Sequence, residues 1–306
     1  MNTSASIVVI GSVNMDLMAR VARLPRPGET LPGTGFNTVP GGKGANQAVA
    51  AARAGGHVAM VGQVGTDAYG AQLRSGLLAE GIDCQALGEV PQAPTGVAMI
   101  WVDDTSQNSI VIIAGSNGIL APDHVDAAQG LLAQCSIVIC QLEVPGETVG
   151  YALRQAHALG KTVILNPAPA SELPAAWYRW VDYLIPNESE AQRLTGIDVQ
   201  DLDTAGQAGR ALLAQGARHV LVTLGGKGVL SVAPDGVRHY PACTVQPRDT
   251  TAAGDTFIGA LAAALARGEA LPAAIDFGQK AAALAVTRDG AQPSIPYRAE
   301  VDAWRG

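Results

Sequence analysis

The sequence predicts an α/β protein with a mainly parallel central sheet and a second, small β-sheet, and three observations carry that expectation. From residue 120 onward, short apolar runs alternate with segments of helical period. Two earlier segments, 12–40 and 95–113, have strand character around turn residues with no helix between. The chain is 48% hydrophobic and only 15% charged, with few aromatics and abundant glycine, as expected of closely packed helices and strands.

The elements follow in order. "SIVVIG" reads as a first buried strand, and "GGKGANQAVAAARAG" as a glycine-rich loop opening a helix. "LMARVARLPRPGETLPGTGFNTVPGG" and "TGVAMIWVDDTSQNSIVII" supply short strands that could pair into a minor sheet over the mouth of the main one; edge strands of the main sheet are the alternative. "SIVIC" precedes the helical "GETVGYALRQAHALG", "TVILN" follows it, and "VDYLIPN" leads into "ESEAQRLTG", which is the rhythm of βαβ units. "HVLVTLGGKGVLSVA" places strands on either side of "GGKG" and reads as a hairpin. "AAGDTFIGALAAALARG" has the composition of a helix beginning near Gly254. The expected organisation is an α/β core from 1–11, 41–94 and 114–306, with 12–40 and 95–113 as a lid subdomain.

A chain of 306 residues buries roughly 75% of its unfolded surface, so core size is not limiting. The net charge of −7 and the lack of a basic run argue against a nucleic-acid or anionic-membrane surface and point to a small-molecule partner. Cys84, Cys135, Cys140 and Cys243 match no metal or redox spacing and read as free, mostly buried thiols. "MNTSASIVVIG" lacks a basic n-region, and no apolar stretch has membrane-spanning length; the expectation is a soluble cytoplasmic protein.

The stretch "DTTAAGDTF" carries the chemistry. Alanine and glycine leave backbone N–H groups uncovered, and a first helical turn with its dipole attracts an anion, so Ala252, Ala253 and Gly254 could cradle a phosphate charge. Asp255 in the same turn could accept a proton from an attacking hydroxyl; taken alone, it could equally stabilise the helix terminus. "PGGKGANQA" is not a P-loop, because its glycine spacing is wrong and no Ser or Thr follows the lysine. Its glycines at 41, 42 and 44 would instead let the backbone approach a ligand. No Gly-x-Gly-x-x-Gly follows the first strand, which disfavours a nicotinamide oxidoreductase.

Asn14 and Asp16 follow the first strand, Glu143 follows "SIVICQ", and Asn187 follows "DYLIP". Ligands of open α/β sheets bind beyond such strand ends. Asp16 and Glu143 could each accept two hydroxyls of a sugar. Asn187 and Glu190, three residues apart on one helix face, could orient magnesium-bound water and phosphate oxygens, although capping is an alternative for each polar residue singly.

"GSVNMDL", "GGKGANQAVAAARAG", "QLEVP", "NPAPA", "PNESEAQRLTG", "VTLGGKGV", "DTTAAGDTFIGAL" and "AVTRDGAQPSIP" occur in an order that resembles the ribokinase-like (PfkB) carbohydrate kinases over essentially the whole chain. That resemblance implies a three-layer α/β sandwich with a small β lid that often forms a dimer contact. It implies ATP-dependent phosphorylation of D-ribose at the 5-hydroxyl, with 2-deoxyribose, fructose or a nucleoside as alternative acceptors and a non-catalytic sugar sensor as the alternative class. Asp255 would be the catalytic base and the backbone of Ala252, Ala253 and Gly254 the anion hole. Asn14, Asp16, Gly42, Lys43, Asn46 and Glu143 would hold the sugar; Asn187, Thr223, Gly225 and Gly228 would contact the nucleotide, with Glu190 organising Mg2+ and phosphate. A K+ site would involve Asp249, Thr251, Ala285, Arg288, Gly290 and Ser294, largely through carbonyls.

Overall fold

Residues 6–105 and 107–305 are described by a computed structural model. The first part of the chain forms β1 (Ile7–Ile10), β2 (Asn14–Val21), β3 (Gly33–Gly41), α1 (Lys43–Arg53), β4 (Val58–Gly65), α2 (Ala68–Ala79), β5 (Leu87–Val90), β6 (Gly96–Val102) and β7 (Asn108–Ile113). There follow α3 (Pro122–Ala127), α4 (Gln129–Gln134), β8 (Ile137–Cys140), α5 (Gly146–Ala158), β9 (Thr162–Leu165), β10 (Tyr183–Leu184), α6 (Glu188–Thr195) and α7 (Leu202–Ala214). The remainder is β11 (His219–Thr223), β12 (Val229–Ala233), β13 (Gly236–Tyr240), α8 (Ala253–Ala266), α9 (Leu271–Ala285) and α10 (Arg298–Ala303).

Nine strands form the main sheet in the order β13-β12-β11-β10-β9-β8-β1-β4-β5. All its pairings are parallel except β11–β12 and β12–β13, so the hairpin legible around "GGKG" closes one edge. Alternation within β1 shows why the strand is apolar throughout: Ile7 and Val9 enter one core with α1, α8 and α9, while Val8 and Ile10 enter the other with α5 and α7. Three layers result, helices covering both faces of the sheet. Cys84, Cys135 and Cys140 are buried free thiols and Cys243 is partly exposed.

A separate four-stranded sheet has the order β3-β2-β6-β7. β2 runs antiparallel to β3 and parallel to β6, with Asn14 opposite both Gly41 and Gly96. Asn14 and Asp16 therefore lie on a strand of this second sheet, within the segment 12–40 expected to form it. The buried Ser12 and Val13 make the crossing from the main sheet to the small one.

The glycines around α1 have different purposes. Gly42 has φ 88°, a left-handed conformation that turns the chain from β3 into α1. Gly41 packs against the Asp16 carboxylate, where a Cβ would stand 2.3 Å from Oδ2, and Gly44 packs on the backbone of Gly11 and Ser12. At 41 and 44 the need is thus close packing within the protein, which a one-dimensional pattern does not separate from close approach of a ligand. On α8, Gly259 lets α1 approach, since a Cβ there would meet Ala50 Cβ and Gln47 O at 2.5 Å. That crossing places Asn46 and Gln47 beside the first turn of α8.

Candidate active site

Ala252 is the residue before α8 and has φ 58°, the only non-glycine with positive φ among the described residues. Such a conformation costs an L-residue on the order of 1 kcal/mol and persists where surroundings impose it. Here the Ala252 carbonyl accepts from both the Thr256 N–H and Thr256 Oγ1, each at 2.8 Å. The chain thereby enters the helix with its first N–H groups facing a cavity of about 200 Å³, lined by Lys43, Asn166, Asn187, Glu190, Thr223 and residues 252–255, among others. Space beside Gly254 is open.

Asp255 is 7% exposed and held on both oxygens: Asn46 Nδ2 donates to Oδ2 at 3.0 Å and Gln47 Nε2 to Oδ1 at 2.9 Å. Burial raises its pKa; Lys43, Asn46 and Gln47 oppose that rise, and Glu143 adds to it. Burial pushes Lys43 down, but Asp255, Glu143, Glu190 and Asp16 outweigh it and hold the ammonium above its usual range. One cation thus stands among four carboxylates. Asp16 is raised to about 7, first by burial and then by Glu143 and Asp255, with Lys43 opposing.

Hydrogen bonds fix which way the polar groups face. Asn117 Oδ1 accepts from the Val13 N–H at 2.8 Å, so its amide donates to Asn14 Oδ1 at 2.7 Å. Asn14 is left with its NH2 for a ligand, on the same strand and two residues from the Asp16 carboxylate. Glu143 Oε2 accepts from Ser12 Oγ at 2.6 Å and from the Lys43 N–H at 3.0 Å, which anchors the turn at Gly42 and leaves Oε1 for other use. Asn46 Oδ1 is buried without a partner among the described residues, an acceptor suited to a ligand hydroxyl.

Asn187 caps α6 and Glu190 closes a capping box, its Oε2 accepting from the Asn187 N–H at 2.9 Å and its Oε1 from Asn187 Nδ2 at 3.0 Å. Capping and cavity lining coexist here, since both residues border the cavity. Burial raises the pKa of Glu190, against the Asn187 N–H and Lys43. Gly225 and Gly228, with φ 50° and 97°, form the turn between β11 and β12 outside the cavity lining; Gly225 faces open space, whereas Gly228 packs against Tyr240 O.

The residues expected around a monovalent cation form two linked loops. Asp249 Oδ1 accepts from the Thr251 N–H and Oγ1 at 2.9 and 2.6 Å, and its Oδ2 accepts from the Gly290 N–H at 2.8 Å. Those bonds hold Asp249 below the usual carboxylate range against its burial. Arg288 directs its guanidinium to Glu300, leaving its carbonyl as the donor it could offer, and Ser294 is buried. An all-oxygen set of this kind fits a hard cation. Arg53 on α1 ties the second loop to the site, donating through Nη1 to Gln292 O and Ile295 O at 2.8 and 2.7 Å.

Ser12, Gln47, Asn117, Gln141 and Asn166 are polar groups of the site that sequence reasoning missed. Glutamine inside an alanine-rich helix was the available signal, because "ANQAVAAARA" offers no other reason for an amide on the buried face.

An open α/β sheet, a helix N-terminus facing a cavity and a buried carboxylate in its first turn define a small-molecule kinase. The family model described as "pfkB family carbohydrate kinase" matches residues 4–298, and the chain belongs to that family. It is 42% identical over 295 residues to a ribokinase of Haemophilus influenzae, covering 96% of each chain. It is also 40% identical over 291 residues to a deoxyribokinase of Salmonella typhi, covering 95% of each. Among solved structures, a ribokinase of Arabidopsis thaliana complexed with ribose and ATP superposes with a TM-score of 0.92 at 32% identity, covering 98% of each chain.

Proposed function

We propose that the protein transfers the γ-phosphoryl group of ATP to the 5-hydroxyl of D-ribose, giving D-ribose 5-phosphate and ADP. The observation that carries the reading is the Asp255 carboxylate, buried and held on both oxygens in the first turn of α8. As the sugar oxygen attacks phosphorus, Asp255 takes its proton, the new O–P bond forms, and the bond from phosphorus to the ADP oxygen breaks. The first N–H groups of α8, from Ala252 through Gly254, face the charge that develops on the transferred group, and catalysis is mainly positioning and charge stabilisation. Lys43, held protonated by its carboxylate neighbours, would help hold the sugar.

Asn14 donates to and Asp16 accepts from adjacent sugar hydroxyls, while Gly42, Asn46 and Glu143 complete the acceptor site. Asn187, Thr223, Gly225 and Gly228 border the nucleotide. Glu190, through lone pairs not used in the capping box, would orient water around Mg2+ bound with ATP, and that ion would supply charge that neutralises the phosphates. Asp249, Thr251, Ala285, Arg288, Gly290 and Ser294 would hold K+, which supplies positive charge that fixes loops rich in carbonyls. The face of the small sheet opposite Asp16, with Phe36, Met99 and Val111 exposed at 65%, 39% and 52%, fits a second copy of this chain. The site of action is the cytoplasm, in keeping with buried free thiols; among the described residues no helix is long and apolar enough to cross a membrane.

The similarity to both a ribokinase and a deoxyribokinase makes the 2-hydroxyl the discriminating group. A site that holds this hydroxyl on Asp16 rejects the sugar lacking it, because a buried polar group is left unpaired. ADP formation from ATP and Mg2+ is to be measured with D-ribose, 2-deoxyribose, fructose and adenosine, in K+ and in Na+. Fastest turnover on ribose, falling in Na+, supports the acceptor and the cation loops together. Preference for 2-deoxyribose moves the substrate and keeps the mechanism; no turnover on any acceptor rejects the kinase reading.

A further inference from the structure

Behind Asp255, three buried amides form a chain that the binding of sugar and nucleotide does not require. Gln47 on α1 and Gln141 after β8 are fully buried, and Asn166 after β9 is nearly so. Gln141 Nε2 donates to Gln47 Oε1 at 2.6 Å, and Gln47 Nε2 donates to Asp255 Oδ1 at 2.9 Å and Asn166 Oδ1 at 3.2 Å. Asn166 Nδ2 donates to the Ile185 carbonyl at 3.0 Å.

Only one polarity satisfies this chain. A carbonyl accepts only, so Asn166 turns its NH2 to Ile185 and its oxygen to Gln47. An ionised carboxylate also accepts only, so Gln47 must present its NH2 to both Asp255 and Asn166. Its oxygen then needs a donor, which Gln141 supplies. Gln141 Oε1 in turn has no partner among the described residues, and the amide is confined by Gly11, where a Cβ would stand 2.0 Å from that oxygen. An arrangement that leaves one buried acceptor unpaired in order to aim two donors at a carboxylate has a cost in stability and fixes the carboxylate in return.

We propose that Gln47 and Gln141 are positioning residues for phosphoryl transfer, an amide relay that keeps Asp255 ionised and in one orientation so that a single lone pair faces the attacking hydroxyl. The proposal rests on the reading of Asp255 as base. Other charged groups facing Asp255 are Lys43 on α1, Glu143 after β8, Asp16 on β2 and Glu190 on α6. Lys43 alone among them favours the ionised form, which leaves the relay and Asn46 to supply the remaining support.

The test compares Gln47→Leu, Gln141→Met and Asp255→Asn with the parent, reading kcat, KM and the pH profile on the sugar that turns over fastest. For Gln47→Leu, kcat should fall about tenfold or more, and the acid limb of kcat against pH should move up by about one pH unit, because a buried carboxylate has lost a donor. KM for sugar should change less than about threefold, since Gln47 is not among the sugar-binding groups. Gln141→Met should move the limb in the same direction by less. A folded Gln47→Leu enzyme with the parent's acid limb, or with its loss confined to KM, overturns the relay. If near-UV circular dichroism shows that Gln47→Leu is unfolded, Gln141→Met decides by the same readout. Retained activity in Asp255→Asn overturns the base reading itself, whereas an inactive Asp255→Asn beside unshifted amide variants overturns the relay alone.

Discussion

At the scale of single residues, two carboxylates carry the argument. Asp255→Asn preserves shape and removes the proposed proton acceptor, so kcat should fall on the order of 10²-fold to 10⁴-fold, the range for a general base. Steady-state turnover checks this, and a loss under about threefold would remove Asp255 from the role. Asp16 differs in being raised from 3.8 to about 7. A carboxylate raised on folding contributes stability that is fully present below its unfolded value and is lost as pH rises through about 7. Asp16→Asn should therefore be more stable than the parent at pH 8, by about 2–4 kcal/mol, and the gain should vanish near pH 4. Denaturant unfolding at the two pH values measures the difference. On the proposed role of ionised Asp16 in holding the sugar, KM for sugar in the parent should rise roughly tenfold from pH 8 to pH 6.

At the scale of elements, the close approach of α1 and α8 sets the hydrogen bonds from Asn46 and Gln47 to Asp255. Gly259 has no room for a Cβ against Ala50 and Gln47, and one turn earlier α8 carries Asp255. Gly259→Ala should destabilise the protein by about 1–3 kcal/mol through overpacking. It should also lower kcat, since separating the helices lengthens the bonds from Asn46 and Gln47 to Asp255. Thermal unfolding and kcat measured on the same preparation check both; an unchanged kcat in a destabilised protein would uncouple the crossing from the chemistry. The helices themselves were legible from the alanine-rich pattern and the glycines at their starts. Their crossing was not, because the small residues Ala48, Ala50, Ala51 and Gly259 read equally well as propensity.

At the scale of the whole molecule, the two sheets divide the work. The nine-stranded sheet supplies helix termini and strand ends, and the four-stranded sheet supplies Asn14 and Asp16. β7 leaves Ile110, Val111, Ile112 and Ile113 exposed in succession, so both faces of an edge strand are apolar. Val111→Glu, on the face that carries Phe36 and away from Asp16, should convert a dimer to monomers in light-scattering measurements, with unfolding of the core little changed. A parent that is monomeric at micromolar concentration would reject pairing through this sheet.

The sequence by itself determined the α/β class, the βαβ rhythm after residue 120, the hairpin at "GGKG" and the stretch in which Asp255 stands at a helix N-terminus, because local periodicity, turn chemistry and glycine placement encode these directly. Tertiary structure alone decided that β2 stands between β3 and β6 with Asn14 opposite both Gly41 and Gly96, that Gly41 and Gly44 serve packing, and that Gln47, Gln141 and Asn166 converge behind Asp255. Residues 47, 141, 166 and 255 are joined only when the parallel order of β1, β8 and β9 brings three strand ends beneath the crossing of α1 and α8. Contacts of such sequence separation leave no periodic trace in the chain, since the physics that fixes them is packing between elements rather than preference within one.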